Sequence, residues 1–295
     1  NRNFDPRGIQ LVGVTVTGIL DLEGAILDRP LMLIGCIFID RLNLKDSKVK
    51  SLVFGACTLP GISADRLSVE GWLSFKDTTV TGETRLPGVT VTGDVNFEKT
   101  TFTNKGDKAL FADGLKVGGN LSFHGVTVVG ETRLLGAKVI GPVDCSKASF
   151  TNPGGPAFNA DGVNVGGDLF FRRAMLVGET RLPGAKIVGD VDCSGSAFNN
   201  QGGNAFFAEG LEAGDRLIFY RLKMPVMGRM SLNQASVETL LADGSGWPGS
   251  GLLDLDGFRY RTLGDYHPWR TLLGWIERQI PRGFTPQPYE QAMKV

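Results

Sequence analysis

Three arginines recur at a fixed interval in this chain and form its most regular set of groups for ionic chemistry. The segment Gly-Glu-Thr-Arg-Leu occurs three times and places Arg85, Arg133 and Arg181 at intervals of 48 residues. A column of guanidinium groups can bind carboxylates or a polyanion through charge-assisted hydrogen bonds. The alternative is a structural role, in which each arginine pairs with its own glutamate and with an acidic residue of the next turn. The acidic partners expected there are Asp113, Asp161 and Glu209.

The four cysteines are the next candidates for chemistry. Cys145 and Cys193 occupy the same place in two copies of the repeat, which puts them two turns, or about 9–10 Å, apart. Disulfide geometry needs Cα atoms within about 7 Å, and no Cys-x-x-Cys motif is present for zinc or redox chemistry. We expect Cys145, Cys193, Cys36 and Cys57 to be buried and unreactive, which fits a cytosolic protein.

The two histidines offer no catalytic arrangement, since neither His124 nor His267 lies near a plausible nucleophile in the sequence. The pairs Gly118-Gly119 and Gly166-Gly167 read as corners between short strands and not as the strand-to-helix turn of a dinucleotide site. The calcium-binding nonapeptide pattern is also missing. The sequence therefore predicts no catalytic, cofactor-binding or metal-binding residues, and favours a protein that is not an enzyme.

A shorter period inside the 48-residue repeat defines the elements that position these residues. Apolar anchor residues recur every 10 or 11 residues, and a second anchor follows each first one after five. Where the interval is 15, four turn-forming residues are inserted, at 104–107, 152–155 and 200–203. Very short strands separated by corners, four to a turn of about 22 residues, predict an all-β, four-sided β-solenoid of roughly eleven coils and ~50 Å.

The anchors also predict how successive coils pack. One inward row alternates leucine with alanine, at Leu86, Ala112, Leu134 and Ala160, and another carries phenylalanine or cysteine. Interiors pack to crystal-like density, so alternate layers must complement each other in volume. This alternation explains why the sequence repeats every two coils.

The segment from Gly130 to Gly167 carries a resemblance to known proteins. Its order of small, variable and bulky apolar residues followed by corners resembles the pentapeptide-repeat fold. It is also similar to bacterial repeat proteins whose copies read roughly GEVRLLGAxIGGxLDCSGAxFxNPGGxALxADGxxVGGxVFL. Leu255–Phe258 and Pro286–Glu290 resemble the C-terminal block of those proteins. The resemblance implies a β-helical solenoid, and it brings the family's frequent label, membrane-associated oxidoreductase.

The end of the chain differs from the rest. We place the solenoid at 1–262, with the double-coil repeat over 64–219, and a helical C-terminal cap at 263–295. Trp269, Leu273 and Ile276 recur at helical spacing after Asp265, a candidate helix cap. An open last coil would expose a sheet edge, so the helix is expected to cover it. The alternative is a docking helix for a partner or a membrane surface.

Composition narrows the function. The chain has 31 basic and 31 acidic residues and a net charge of zero, which argues against nucleic-acid binding. No run of 18 apolar residues is present. We expect a non-catalytic scaffold or protein-interaction module that binds a protein partner. We also expect it to be cytoplasmic, to lie at the membrane periphery through sequence absent here, and to associate end to end. The alternatives are an oxidoreductase, by the family label alone, and a polyanion-binding surface along the arginine column.

Overall fold

The computed structural model describes residues 8–244, 246–264, 274–275 and 277–280. The strands up to residue 96 are β1 (Ile9–Val12), β2 (Thr15–Val16), β3 (Ile26–Leu27), β4 (Leu31–Ile34), β5 (Ile37–Phe38), β6 (Leu42–Asn43), β7 (Lys48–Val49), β8 (Leu52–Gly55), β9 (Thr58–Leu59), β10 (Ile62–Ser63), β11 (Ser68–Val69), β12 (Leu73–Ser74), β13 (Thr79–Val80), β14 (Thr84–Arg85), β15 (Thr90–Val91) and β16 (Val95–Asn96). The later strands are β17 (Thr101–Phe111), β18 (Lys116–Val117), β19 (Leu121–Ser122), β20 (Thr127–Arg133), β21 (Lys138–Val139), β22 (Val143–Asp144), β23 (Ser149–Asn159), β24 (Asn164–Val165), β25 (Leu169–Phe170), β26 (Met175–Arg181), β27 (Lys186–Ile187), β28 (Val191–Asp192), β29 (Ala197–Phe207), β30 (Glu212–Phe219), β31 (Met227–Ser231), β32 (Ser236–Ala242), β33 (Leu253–Asp254) and β34 (Arg259–Leu263).

The strands stack in parallel, each on the equivalent strand of the turn before it. One row runs through β7, β11, β15, β18 and β21, and the next through β8, β12, β16, β19 and β22. A third runs through β5, β9, β13, β17 and β20, and a fourth through β6, β10, β14 and β17. The protein is thus an all-β parallel solenoid of about 12 turns of ~22 residues, one more than the sequence predicted.

The corners explain the high glycine content. In the turn that begins at Ala64, the carbonyl oxygen of Ala64 accepts a hydrogen bond from the amide of Leu67 at 3.2 Å, and Arg66 takes a φ of 55°. The equivalent residue two turns later is Gly114, with a φ of 64°. Because side chains disfavour positive φ and glycine does not, this corner position selects glycine in many coils.

The two inward rows lie where the sequence predicted them. Leu86, Ala112, Leu134 and Ala160 are at most 1% exposed. The aromatic row is equally buried, and its rings contact each other from coil to coil, as in the stacked pair of Phe97 and Phe123 with 5.1 Å between centroids. The core is therefore one continuous apolar column along the rod.

The predicted helical cap at 263–295 is not seen in the described part of the chain. Most of that segment lies outside the described residues, and helical backbone within them is limited to Gly274, Trp275 and Glu277. Two of the described residues, Trp275 and Gln279, contact the last turns of the solenoid. Leu253 forms a parallel bridge with Gln279, and the indole of Trp275, 6% exposed, lies 5.2 Å from that of Trp247.

Candidate functional site

The arginine column lies on one outer side of the solenoid. Strand register places Arg85, Arg133 and Arg181 in a single row, with another residue between each pair, because the 48-residue repeat covers two turns. The intervening residues add contacts of their own. The guanidinium carbons of Arg85 and Arg133 lie 5.0 Å and 5.6 Å from the ring centre of Phe111, within cation–π distance.

Each arginine of the column is already paired. The nitrogen–oxygen distances are 2.7 Å for Arg85–Asp65, 2.8 Å for Arg133–Asp113 and 2.6 Å for Arg181–Asp161. These partners lie on the preceding coil and not on the next one. The expected pairing with Asp113, Asp161 and Glu209, in that order, is therefore wrong, and each arginine pairs with the acidic residue one 48-residue repeat earlier. The same corner of every second coil carries an acid, so each arginine lies between two equivalent candidates, and sequence spacing does not distinguish them.

Contacts to the repeat glutamates complete the row. Arg85 lies 3.6 Å from Glu83, and Arg181 lies 3.4 Å from Glu179. Burial alone would raise the pKa of Asp65, but the hydrogen bond and charge of Arg85 bring it below its usual value. The guanidinium charges are thus balanced within the protein, and polyanion binding along this column stays a prediction.

Three loops project from the corner between the third and fourth strand rows. We call residues 104–107, 152–155 and 200–203 the loop row. In each loop an asparagine side chain closes the turn, with Nδ2 donating to a backbone oxygen four residues on: Asn104 to Lys108 at 2.8 Å, Asn152 to Pro156 at 2.9 Å and Asn200 to Asn204 at 2.7 Å. The tips are exposed, so the loops are ordered at the base and accessible at the top.

The cysteines and His124, the other residues considered for chemistry, have structural surroundings in the solenoid. All four cysteines are free and buried, and burial raises the pKa of the Cys145 and Cys193 thiols well above the usual 9.0. His124 Nδ1 lies 3.3 Å from an oxygen of Asp144 on the next coil. Within the described ranges, no three or more His, Cys, Asp or Glu side chains group in a way that could hold a metal ion.

The docking residues named from the sequence, Trp269, Leu273 and Ile276, lie outside the described residues, as does His267. The described part of the chain contains no helix with the length and apolar character that a membrane crossing requires.

Sequence reasoning missed a cavity near the C-terminal end. It has a volume of about 550 Å³ and lies between the third loop, strand β31 and residues 249–252. Arg229 lies on its floor. The available signal was Gly228, which marks a fourth, altered copy of Gly-Glu-Thr-Arg, displaced from the 48-residue interval by two residues.

The pairing of strands by itself defines the class of this protein, a parallel β-solenoid. No protein-family model matches the chain, and no curated protein matches it. Among solved structures, the chain is similar to the 2.0 Å crystal structure of HetL, a pentapeptide repeat protein involved in heterocyst differentiation regulation from the cyanobacterium Nostoc sp. strain PCC 7120. The identity is 15%, the match covers 87% of each chain and the TM-score is 0.30. Nothing about function follows at this similarity, and the oxidoreductase label gains no support.

Proposed function

We propose that this protein is a non-catalytic scaffold that presents the loop row to a protein partner. The observation that carries the proposal is the threefold repetition of the same closed loop at one corner. Each loop is fixed by its own asparagine hydrogen bond, and each is separated from the next by a coil without a loop. The spacing of two coils corresponds to about 9–10 Å along the rod.

A rigid rod with regularly spaced projections favours binding of an extended partner. Solenoids use extended surfaces in this way because each repeat adds a similar contact. Rigid loops lose little conformational entropy when they bind, which improves affinity without new contacts. Engagement of several loops by one partner adds avidity.

The charged rows are less suited to a partner than the loops. The column at Arg85, Arg133 and Arg181 is balanced by aspartates at 2.6–2.8 Å. Similar pairs join coils elsewhere, such as Arg216–Asp190 at 2.5 Å and Lys50–Glu70 at 2.6 Å. Such ladders favour a role in holding neighbouring coils together.

The test removes the loops and keeps the rod. The coil between two loops crosses the same corner with only Gly130 and Glu131. We would therefore put Gly-Glu in place of 104–109, 152–157 and 200–205. The measurement is the amount of partner protein that this variant and the unchanged protein each capture on cross-linking. The matched control is Lys138→Gln with Lys186→Gln, two exposed changes on another side of the rod.

We expect the loop-free variant to fold and to lose the captured partner, and the lysine variant to keep it. Capture that is unchanged without the loops would contradict the proposal. An absorption band of a bound redox cofactor in the purified protein would instead favour the oxidoreductase alternative. A cytoplasmic location at the membrane periphery and end-to-end association belong to the same proposal, and cell fractionation and sedimentation would test them.

A further inference from the structure

Arg229, in the cavity beside the third loop, has the opposite charge to the residues at the two equivalent positions of the earlier repeats, Glu131 and Glu179. Register aligns its floor with the earlier repeats: Arg229 lies opposite Asn204, as Glu179 lies opposite Pro156 and Glu131 opposite Lys108. The floor residue before it is glycine in all three copies, with φ between 119° and 128°. A glutamate has thus been replaced by an arginine at one place in an otherwise repeated geometry.

The glycine is required because the loop folds over it. A Cβ atom on Gly228 would lie 2.5 Å from the carbonyl oxygen of Asn200 and 2.8 Å from that of Gly203. The backbone wall of the loop therefore approaches the floor closely and holds a fixed shape. On the opposite side, residues 249–252 form a turn in which the amide of Leu252 donates to the carbonyl oxygen of Gly249 at 3.2 Å. The carbonyl oxygen of Leu252 accepts a hydrogen bond from the amide of Met230 at 2.8 Å, so this turn is held against β31 and forms the second wall of the cavity.

Glu131 and Glu179 accept hydrogen bonds from neighbouring side chains, whereas Arg229 uses only some of its hydrogen-bond donors. Glu131 accepts a hydrogen bond from Asn159, and Glu179 accepts hydrogen bonds from Arg181 and Asn204. Arg229 donates from Nη2 to an oxygen of Asp254 at 3.0 Å, and its side chain remains 40% exposed. Its Nε is buried and has no hydrogen-bond partner among the described residues, so the exposed part of the guanidinium is its two Nη groups.

Asp254 orients this guanidinium. Its own side chain is only 3% exposed, so the pair has a fixed geometry at the cavity floor. A guanidinium has five N–H donors, four of them on the two Nη atoms, so Nη donors remain for a ligand after the bond to Asp254, while Nε is buried. The nearby aspartate offsets part of the positive charge, which favours a singly charged ligand over a polyanion.

The other lining residues are three apolar side chains, four glycines and the amide side chains of Gln201 and Asn204. Val226 is buried and Met227 half-buried on the floor, and Leu252 is 39% exposed at the rim. Gly202 and Gly203 present bare backbone on the loop side. A cavity of about 550 Å³ lies in the usual range for small-molecule sites, which combine apolar walls with a few polar groups.

We propose that this cavity binds a small monocarboxylate with an apolar body, the carboxylate on Arg229 and the apolar part between Met227 and Leu252. The site is separate from the tips of the loop row, although it shares the third loop. Binding there would link a small ligand to the surface that is proposed to meet a protein partner.

The test uses 4-phenylbutyrate as the probe and 4-phenylbutanamide as its neutral match, titrated into the full chain by calorimetry and ligand-detected NMR. We expect saturable binding of the acid at least tenfold tighter than that of the amide. Arg229→Gln should weaken the acid about tenfold or more, since a charge-assisted hydrogen bond is lost, and should leave the amide unchanged. Arg173→Gln, an exposed arginine on another side, should have no effect.

A second variant keeps the test decisive if Arg229→Gln does not fold. Leu252→Ser changes an exposed rim residue and should weaken acid and amide equally. Absence of saturable binding, equal binding of acid and amide, or an acid affinity that is unchanged in Arg229→Gln would each overturn the proposal.

Discussion

The ring of Phe158 lies edge-on against the ring of Phe171, with 5.2 Å between centroids and 88° between planes. Phe158 also lies 6.5 Å from Phe123, so it spans the layer in which the inward row carries Cys145. In the preceding repeat that row carries Phe97, and the position of Phe158 is held by Leu110. A large residue in one position thus accompanies a smaller one in the other, as close packing requires.

This exchange of volume predicts a non-additive pair of substitutions. Cys145→Phe alone should overpack the layer and cost about 1–3 kcal/mol. Phe158→Leu alone should leave a void and cost on the order of 1–2 kcal/mol. The double variant restores the combination found at Phe97 and Leu110 and should cost clearly less than the sum. Denaturant unfolding of the four proteins measures the coupling energy, and strictly additive costs would contradict the exchange.

Three buried hydroxyl groups predict a stabilising substitution. The Oγ1 atoms of Thr84, Thr132 and Thr180 are buried without a hydrogen-bond partner in the described part of the chain. Thr132→Val keeps the shape and removes the buried polar group, so the free energy of unfolding should rise by about 1–2 kcal/mol. Thermal or denaturant unfolding provides the measurement.

The chain offers a matched control for this change. Thr78 Oγ1 donates to the carbonyl oxygen of Phe54 at 3.1 Å and accepts from the amide of Cys57 at 3.3 Å. Thr78→Val should therefore destabilise the protein by about 1–2 kcal/mol. If both valine variants shifted stability in the same direction, the assignment of the unpaired hydroxyls would be wrong.

The cysteine thiols predict a pH dependence at the alkaline end. Burial raises the pKa of Cys145 and Cys193 well above the usual 9.0. In the unfolded chain the thiols ionise near that value while the folded protein keeps them protonated, so stability is retained below pH 9 and falls as the pH rises above it. Cys145→Ala with Cys193→Ala should flatten this alkaline slope in unfolding titrations.

The same burial governs reactivity. Cys145 and Cys193 should resist a thiol reagent in the native protein and react after unfolding, because the thiolate is the reactive form. Rapid labelling of either residue in the folded state would contradict the inward orientation of that row.

Removal of the Trp275 side chain should destabilise the last turn of the solenoid locally. Trp275 is 6% exposed and lies against Trp247, so Trp275→Ala should cost about 3–5 kcal/mol in the packing of that end. Solenoid coils are stabilised by their neighbours, so amide exchange should accelerate at Leu253 before it does at Leu134. Trp72→Ala is the control, since Trp72 is 52% exposed, and equal exchange in both variants would argue against a covering role for Trp275.

The amino-acid pattern alone predicted the all-β solenoid, because a solenoid repeats one local rule, but it also predicted a helical end at 263–295 that the described residues do not show. The alternation at Leu86, Ala112, Leu134 and Ala160 marks the inward positions, and the inserted loops mark one corner. Each coil contacts only its neighbours, so the repeat in the sequence gives the order of the coils along the rod, and each strand pairs with the equivalent strand of the next coil.

Only the packed side chains show which of two equivalent neighbours each polar group contacts. Arg133 lies between acids on both adjacent coils, and only the packed side chains show that it pairs with Asp113 on the preceding one. The cavity at Arg229 depends in the same way on where the turn at 249–252 packs beside β31. In a periodic sequence each residue has equivalent candidate partners on the preceding and the following coil. Side-chain packing and the breaks in the repeat select between them.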